Sequence, residues 1–95
     1  MNLTKMKDGA TLTVALDGRL DTTTASTFES FVNENLADAT SLVLDCGALA
    51  YISSAGLRVL LTLQKKMQAM KLIHVGELVM EVFEMTGFAD ILTIE

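Results

Sequence analysis

The chain has 95 residues, a net charge of −5 from 7 basic and 12 acidic side chains, 51% hydrophobic residues, no Pro and one Cys. That length suits one domain, 1–95, with about 5,400 Å² of folded surface and little room for a deep substrate cavity. The composition excludes a disordered chain, and no apolar run approaches the ~18 residues of a membrane span, so no membrane insertion is expected. Met1 to Gly9 carries Lys5, Lys7 and Asp8 and no apolar stretch of a secretory signal. A lone Cys46 can form neither an internal disulfide nor a Cys-based metal site, which suits a reduced, cytoplasmic protein. The acidic balance argues against nucleic acid as a direct partner. Charge is nevertheless segregated: residues 20–57 carry no Lys or Arg, residues 58–71 carry Arg58, Lys65, Lys66 and Lys71 and no acid, and residues 72–95 are again acidic.

In chain order, residues 2–7 alternate loosely as a first strand, and Asp8-Gly9 signals a hairpin turn. Leu12, Val14 and Leu16 alternate with Thr11, Thr13, Ala15 and Asp17 as a strand with one buried face, which Gly18 is expected to end. Thr22, Thr23 and Thr24 can supply an N-cap hydroxyl to a helix whose buried face is Ala25, Phe28, Val32 and Leu36. Ser41 to Leu44 reads as a buried central strand, followed by a ten-residue loop from Asp45 to Ser54. Leu57, Leu60, Leu61 and Met67 predict a helix to about Met70, with Arg58, Thr62, Lys65 and Lys66 on its polar side. Leu72 to Val75, containing His74, reads as a further buried strand closed by Gly76. A third helix buries Leu78, Val79, Val82 and Phe83, turns Glu77, Glu81 and Glu84 outward, and stops at Gly87. Ile91, Leu92 and Ile94 form a last short strand or an apolar tail. The order β-β-α-β-α-β-α predicts an α/β fold: a mixed sheet of four or five strands, with an antiparallel N-terminal hairpin, right-handed parallel crossovers, and three helices starting near Thr24, Ala55 and Leu78.

No pattern in the chain supports an enzyme. His74 has no second His for a metal site, Cys46 has no catalytic His signature beside it, and the glycines form no phosphate loop, so no cofactor is expected. Asp21 and Asp45 both follow strand ends, where they cap loops or meet as an acid/base pair. The informative stretch is Tyr51 to Leu61. It sets a serine at the first turn of a helix, just beyond the carboxyl end of a central strand, where ligands of parallel sheets bind. Spacing alone leaves Ser53 and Ser54 equally open as the cap.

Four segments resemble the STAS domain family, specifically single-domain bacterial anti-sigma factor antagonists. They are Gly18-Arg19-Leu20-Asp21 with Thr24-Ala25, Leu42-Val43-Leu44-Asp45, Ile52 to Leu61, and Val79 to Gly87 with Phe88-Ala89-Asp90-Ile91. The third resembles the family's Asp-Ser-Ser/Thr-Gly-Leu signature, whose phosphorylated serine falls on Ser54. Ser53 stands at the family's Asp, Ala55 at its second Ser or Thr, and Gly56 and Leu57 match. The resemblance implies a single STAS-like domain and a partner-switching regulator. Unphosphorylated, such a protein binds an anti-sigma factor that is also a serine kinase, and so frees the sigma factor that controls transcription. Phosphorylation dissociates the complex and a serine phosphatase resets it. The resemblance implies phosphorylation at Ser54 and a partner surface of Asp21, Thr22, Ser53, Gly56, Leu57 and Arg58. The alternatives are a STAS adaptor subunit of a lipid-transport or sensory complex, with no phosphoryl cycle, and nucleotide binding.

Overall fold

The alternation of Leu12, Val14 and Leu16 buries one face of a long strand, and the rest of the chain is arranged to cover that face. In the computed structural model, which describes residues 1–95, β1 (Asn2–Asp8) and β2 (Thr11–Leu20) form the antiparallel hairpin. Asp8 pairs with Thr11, so the turn residues are Gly9 and Ala10, one position beyond the expected pair. Gly9 has a φ of +60°, which a two-residue turn of this hand requires and glycine supplies without a steric cost. β3 (Ser41–Ile52) and β4 (Met70–Ile73) extend the sheet in the order β1-β2-β3-β4, with β2, β3 and β4 parallel. The helices are α1 (Ala25–Asn35), α2 (Ser54–Lys66) and α3 (Glu77–Thr86). Because the parallel strands add in sequence order, right-handed crossovers put α1 and α2 on the same face of the sheet. Burial agrees: Leu12, Val14, Leu16, Leu42, Leu44, Met70 and Leu72 are buried, whereas alternate positions such as Thr13, Val43 and Ile73 are only half covered. Phe28 and Val32 of α1, Leu57, Leu60 and Leu63 of α2, and Val79 and Phe83 of α3 complete a core cluster of 21 residues. The surface, 5281 Å², matches the size expected of one small domain. No helix is long and apolar enough to cross a membrane.

The structure departs from the sequence pattern in several places, among them α3, where only Val79 and Phe83 are buried and Leu78, expected in the core, faces solvent on the next column of the helix. Gly18 does not end β2: at a φ of +117° it sits in a stretch of irregular register that carries the strand on to Leu20. Asp45 to Ile52 is not a loop but the second half of β3. Cys46 continues the inward alternation, a register shift follows, and Leu49 and Ile52 return to the core. α2 stops at Lys66, because Met67 turns extended and Met70 is needed opposite Leu42 in β4. β4 ends at Ile73, so His74 lies outside the strand, exposed, at a φ of +58°. Beyond α3, which Gly87 ends in the left-handed conformation, a short 3₁₀ turn (Phe88–Asp90) leads Leu92 into the core. Ile94 then makes a single parallel bridge to Leu72.

One packing contact fixes where α2 begins. A Cβ at Gly56 would stand 2.8 Å from Leu20 Cγ, 2.9 Å from Ile52 Cγ1 and 3.0 Å from the Leu20 carbonyl oxygen. The helix therefore rests directly on the ends of β2 and β3. Gly56→Ala gains ~1 kcal/mol of helix propensity but overpacks a branched carbon and a backbone oxygen, at a typical cost of 1–3 kcal/mol. We expect a net loss of ~1 kcal/mol in urea unfolding, with Gly76→Ala, where no atom lies within 4 Å of the new Cβ, close to neutral.

Candidate functional site: the rim around Ser54

The carboxyl ends of β2 and β3 meet the start of α2. Leu20 pairs with Ile52, and the Ser53 N–H donates to the Leu20 carbonyl at 2.9 Å. Ser53 is the helix N-cap by backbone geometry, with extended φ and ψ, and its carbonyl accepts from the Leu57 N–H at 2.9 Å. Its hydroxyl makes no cap hydrogen bond; it is buried without a protein partner. Ser54 is the first helical residue and is exposed. It stands among the N–H groups that a helix's first turn leaves unpaired, at the positive end of the helix dipole. No acidic side chain occupies that first turn. Arg58, one turn further on, is exposed too.

The neighbouring loop is built on Asp21. Its carbonyl accepts from Thr24 N–H at 3.2 Å and Ala25 N–H at 2.8 Å, which starts α1. Its Oδ1 accepts from the Thr23 hydroxyl at 2.7 Å and the Thr23 N–H at 3.0 Å. The Thr23 hydroxyl is the main reason the Asp21 carboxyl is held below the ordinary carboxylate range. No threonine hydroxyl caps α1, as the run of three had suggested. Thr24 Oγ1 instead points back, accepting from the Asp21 N–H at 2.9 Å and donating to the Arg19 carbonyl at 2.8 Å. Thr22 is left exposed at the tip. On the outer side of the same strand ends, Arg19 pairs in register with Tyr51, its guanidinium 4.1 Å from the ring centroid and its Nε 3.7 Å from Asp21 Oδ2. Sequence reading missed this pair because it ended β2 at Gly18. Continuing the strand through the glycine would have set Arg19 beside Tyr51.

The structure thus brings Asp21, Thr22 and Ser54 to one rim, with Arg58 a turn away; Ser53 stands there by its backbone, its hydroxyl turned inside. Gly56 and Leu57 are a correction: both are buried. Gly56 faces Leu20 and Ile52 rather than a partner, so these two position the rim and do not present a surface. Asp21 and Asp45 are not an acid/base pair, since each has its own partners. Asp45 Oδ1 accepts from the Gly47 N–H at 3.0 Å and lies 3.0 Å from His74 Nδ1. Cys46 is buried and its thiol is pushed up to about 12, first by burial and then by the neighbouring Asp45 charge. It is held as the unreactive thiol.

A family model described as STAS domain matches residues 2–95. The chain belongs to the STAS domain family. Among STAS proteins it is 36% identical over 100 residues to a Bordetella bronchiseptica protein named "Putative anti-sigma factor antagonist BtrV", covering 96% of this chain and 83% of that protein. An anti-sigma factor antagonist from Mycobacterium paratuberculosis has the same fold, with a TM-score of 0.87 at 21% identity over 98% of this chain and 83% of that one. The Bacillus cell fate determinant SpoIIAA in its phosphorylated form superposes with a TM-score of 0.73 at 16% identity, over 99% and 91%. This STAS domain is therefore of the anti-sigma factor antagonist kind, a regulatory rather than an enzymatic class.

Asp45 yields a pH prediction. The Gly47 N–H first, and then His74, favour its charged form and hold its pKa below the ordinary value. A depressed carboxylate stabilises the fold above its unfolded pKa, and that contribution drains away as pH falls through the native value. The stability difference between the parent chain and Asp45→Asn should hold constant above about pH 5 and shrink as pH falls below about 4, as read by urea titration at each pH.

Proposed function

We propose that this STAS domain is a phosphorylatable partner-switching protein that, unphosphorylated, binds an anti-sigma factor serine kinase and so releases a sigma factor. The observation that carries this reading is the exposed hydroxyl of Ser54 at the first residue of α2, on a helix start fixed against the strand ends by Gly56. The kinase would transfer the γ-phosphoryl group of ATP to Ser54 Oγ. The new O–P bond replaces the bond to ADP, and the hydroxyl proton leaves to the kinase's base. A serine phosphatase returns the group to water. The protein works in the cytoplasm, where its kinase finds ATP.

The physics of this modification favours a switch that leaves the fold intact. Phosphate adds about −1.5 to −2 of charge at neutral pH. At a helix N-terminus that charge meets unpaired N–H groups and a favourable dipole. Arg58, at the i+4 position, lies within helical reach of it. The loss falls on the complex: a partner packed over Asp21, Thr22, Ser53 and Ser54 would have to bury a bulky dianion, and an uncompensated buried charge costs several kcal/mol.

Phosphoryl incorporation and partner affinity test this side by side. With the cognate kinase and ATP, mass spectrometry should find phosphate on Ser54 in the parent chain and in Ser53→Ala, and none in Ser54→Ala, whose exposed site costs little stability. Ser54→Asp should stay folded and bind the kinase at least about tenfold more weakly. Arg58→Glu should weaken binding by an amount that shrinks as salt rises. If Ser54→Ala takes phosphate and Ser53→Ala does not, Ser53 is the acceptor; if neither variant changes anything, the adaptor reading replaces the switch.

A further inference from the structure

A second feature adjoins this rim and is not explained by it. Six large hydrophobic side chains of the chain are exposed, and three of them, Tyr51, Leu78 and Met85, line one trough. Its floor is Ala50 and Ile52 at the end of β3 with Val79 and Val82 of α3, and it encloses about 270 Å³. Leu78 and Met85 are 71% and 86% exposed, the two largest values among those six. With half-buried Val82 between them they repeat at i, i+4 and i+7, an apolar stripe along one side of a helix. α3 already spends Val79 and Phe83 on the core. It therefore carries two apolar stripes, one used by the fold and one left facing solvent. The opposite wall is held in place by Arg19 stacked on the Tyr51 ring.

The charge around the trough narrows what can lie in it. Glu81 lines it, Glu77 and Glu84 stand on the same helix, and residues 72–95 contain no Lys or Arg. The cation on the strand side, Arg19, is committed to Tyr51 and to Asp21. The border is thus anionic and uncompensated. A second copy of this chain fits badly, because it would set the same glutamates against one another. A small ligand fits less well: only Glu81 and the Tyr51 hydroxyl among the lining residues could orient it, and the trough runs along a helix with a helical repeat.

We infer that this trough is a docking site for an amphipathic helix of another protein, with Leu- or Met-type side chains seated on Leu78, Val82 and Met85 and Lys or Arg along its edges. Such an occupant lays an i/i+4/i+7 seam into an apolar groove, and its cations answer Glu77, Glu81 and Glu84. Helix docking here is separate from Ser54. Negative charge at Ser54 does not oppose a basic helix, so phosphorylation would leave this grip in place while disturbing the rim.

The test uses the full chain and two synthetic helical peptides of about 18 residues with identical Leu/Met seams, one flanked by Lys and the other by Glu. Fluorescence anisotropy should give binding of the Lys-flanked peptide, at least about tenfold tighter than the Glu-flanked one at low salt. Amide chemical-shift changes should centre on Tyr51, Leu78, Val82 and Met85. The double variant Leu78→Ser, Met85→Ser alters only exposed side chains and should lose the peptide, and Glu81→Lys should narrow or invert the charge preference. Ser54→Asp should bind the peptide as well as the parent does, which separates this surface from the phosphoryl switch. Equal binding of both peptides, or no binding of either at about 1 mM, overturns the inference. So does sedimentation showing a dimer that Leu78→Ser, Met85→Ser converts to monomer, since the occupant would then be a second copy.

Discussion

The fold and the site both depend on the close seat of α2 on the ends of β2 and β3. At Gly56 there is no space for a side chain between the helix and Leu20 and Ile52, and one residue column away the Ser53 N–H bonds the Leu20 carbonyl. These two contacts set the height and entry angle of the helix. With the helix seated this low, its first residue, Ser54, lies beside the strand ends and is exposed. Because β2 and β3 are in register there, the Asp21 loop stands on the adjacent strand end. A glycine with ordinary backbone angles is thus required by proximity rather than by conformation.

Two surfaces with different physics follow from this arrangement. The rim of Asp21, Thr22, Ser53 and Ser54 is polar and is ordered by short hydrogen bonds within the Asp21 turn. In the proposed switch, charge added at Ser54 is welcome to the helix start and unwelcome to anything packed over it, so one modification leaves the fold stable and breaks the complex. The trough along α3 is apolar with an acidic edge, and its affinity would come from buried area. Tyr51 joins the two: its chain neighbours run into Ser53 and Ser54, while its ring walls the trough under the Arg19 guanidinium. An interface that uses both surfaces can be loosened at one and held at the other.

Much of this was legible in the sequence wherever a hydrophobic period ran unbroken. The Leu12/Val14/Leu16 alternation, the Phe28/Val32 and Leu57/Leu60 helical spacings and the Gly87 stop all correspond to elements of the structure, while Leu61 and Met67 are only half-buried. The failures lie where backbone irregularity interrupts the period. Gly18 ends nothing, because an irregular register lets a strand continue past it, and Asp45 to Ile52 looked like a loop because the register shift near Gly47 breaks the inward alternation after Cys46. His74 reads as a strand residue until its left-handed backbone and its bond to Asp45 are seen, a conformation His tolerates better than a β-branched residue does. At the site, the sequence and the family resemblance singled out Ser54, Asp21 and Arg58, but a motif does not distinguish residues that face a partner from residues that hold the motif in place. Gly56 and Leu57 belong to the second kind. The outer stripe of α3 was read as core because Leu78 and Val82 have the same helical spacing as Val79 and Phe83, and only the packing shows which stripe is covered.

The central claim is that phosphate on Ser54 acts on the complex and not on the fold. The direct measurement is calorimetric titration of the anti-sigma factor kinase with two forms of the full chain, unmodified and carrying phosphoserine at position 54, together with their unfolding curves. The switch predicts equal or slightly raised stability for the phosphorylated form, from the favourable helix terminus, and an affinity lower by at least about tenfold. Equal affinity for both forms, or a phosphorylated chain that loses its fold, would contradict it.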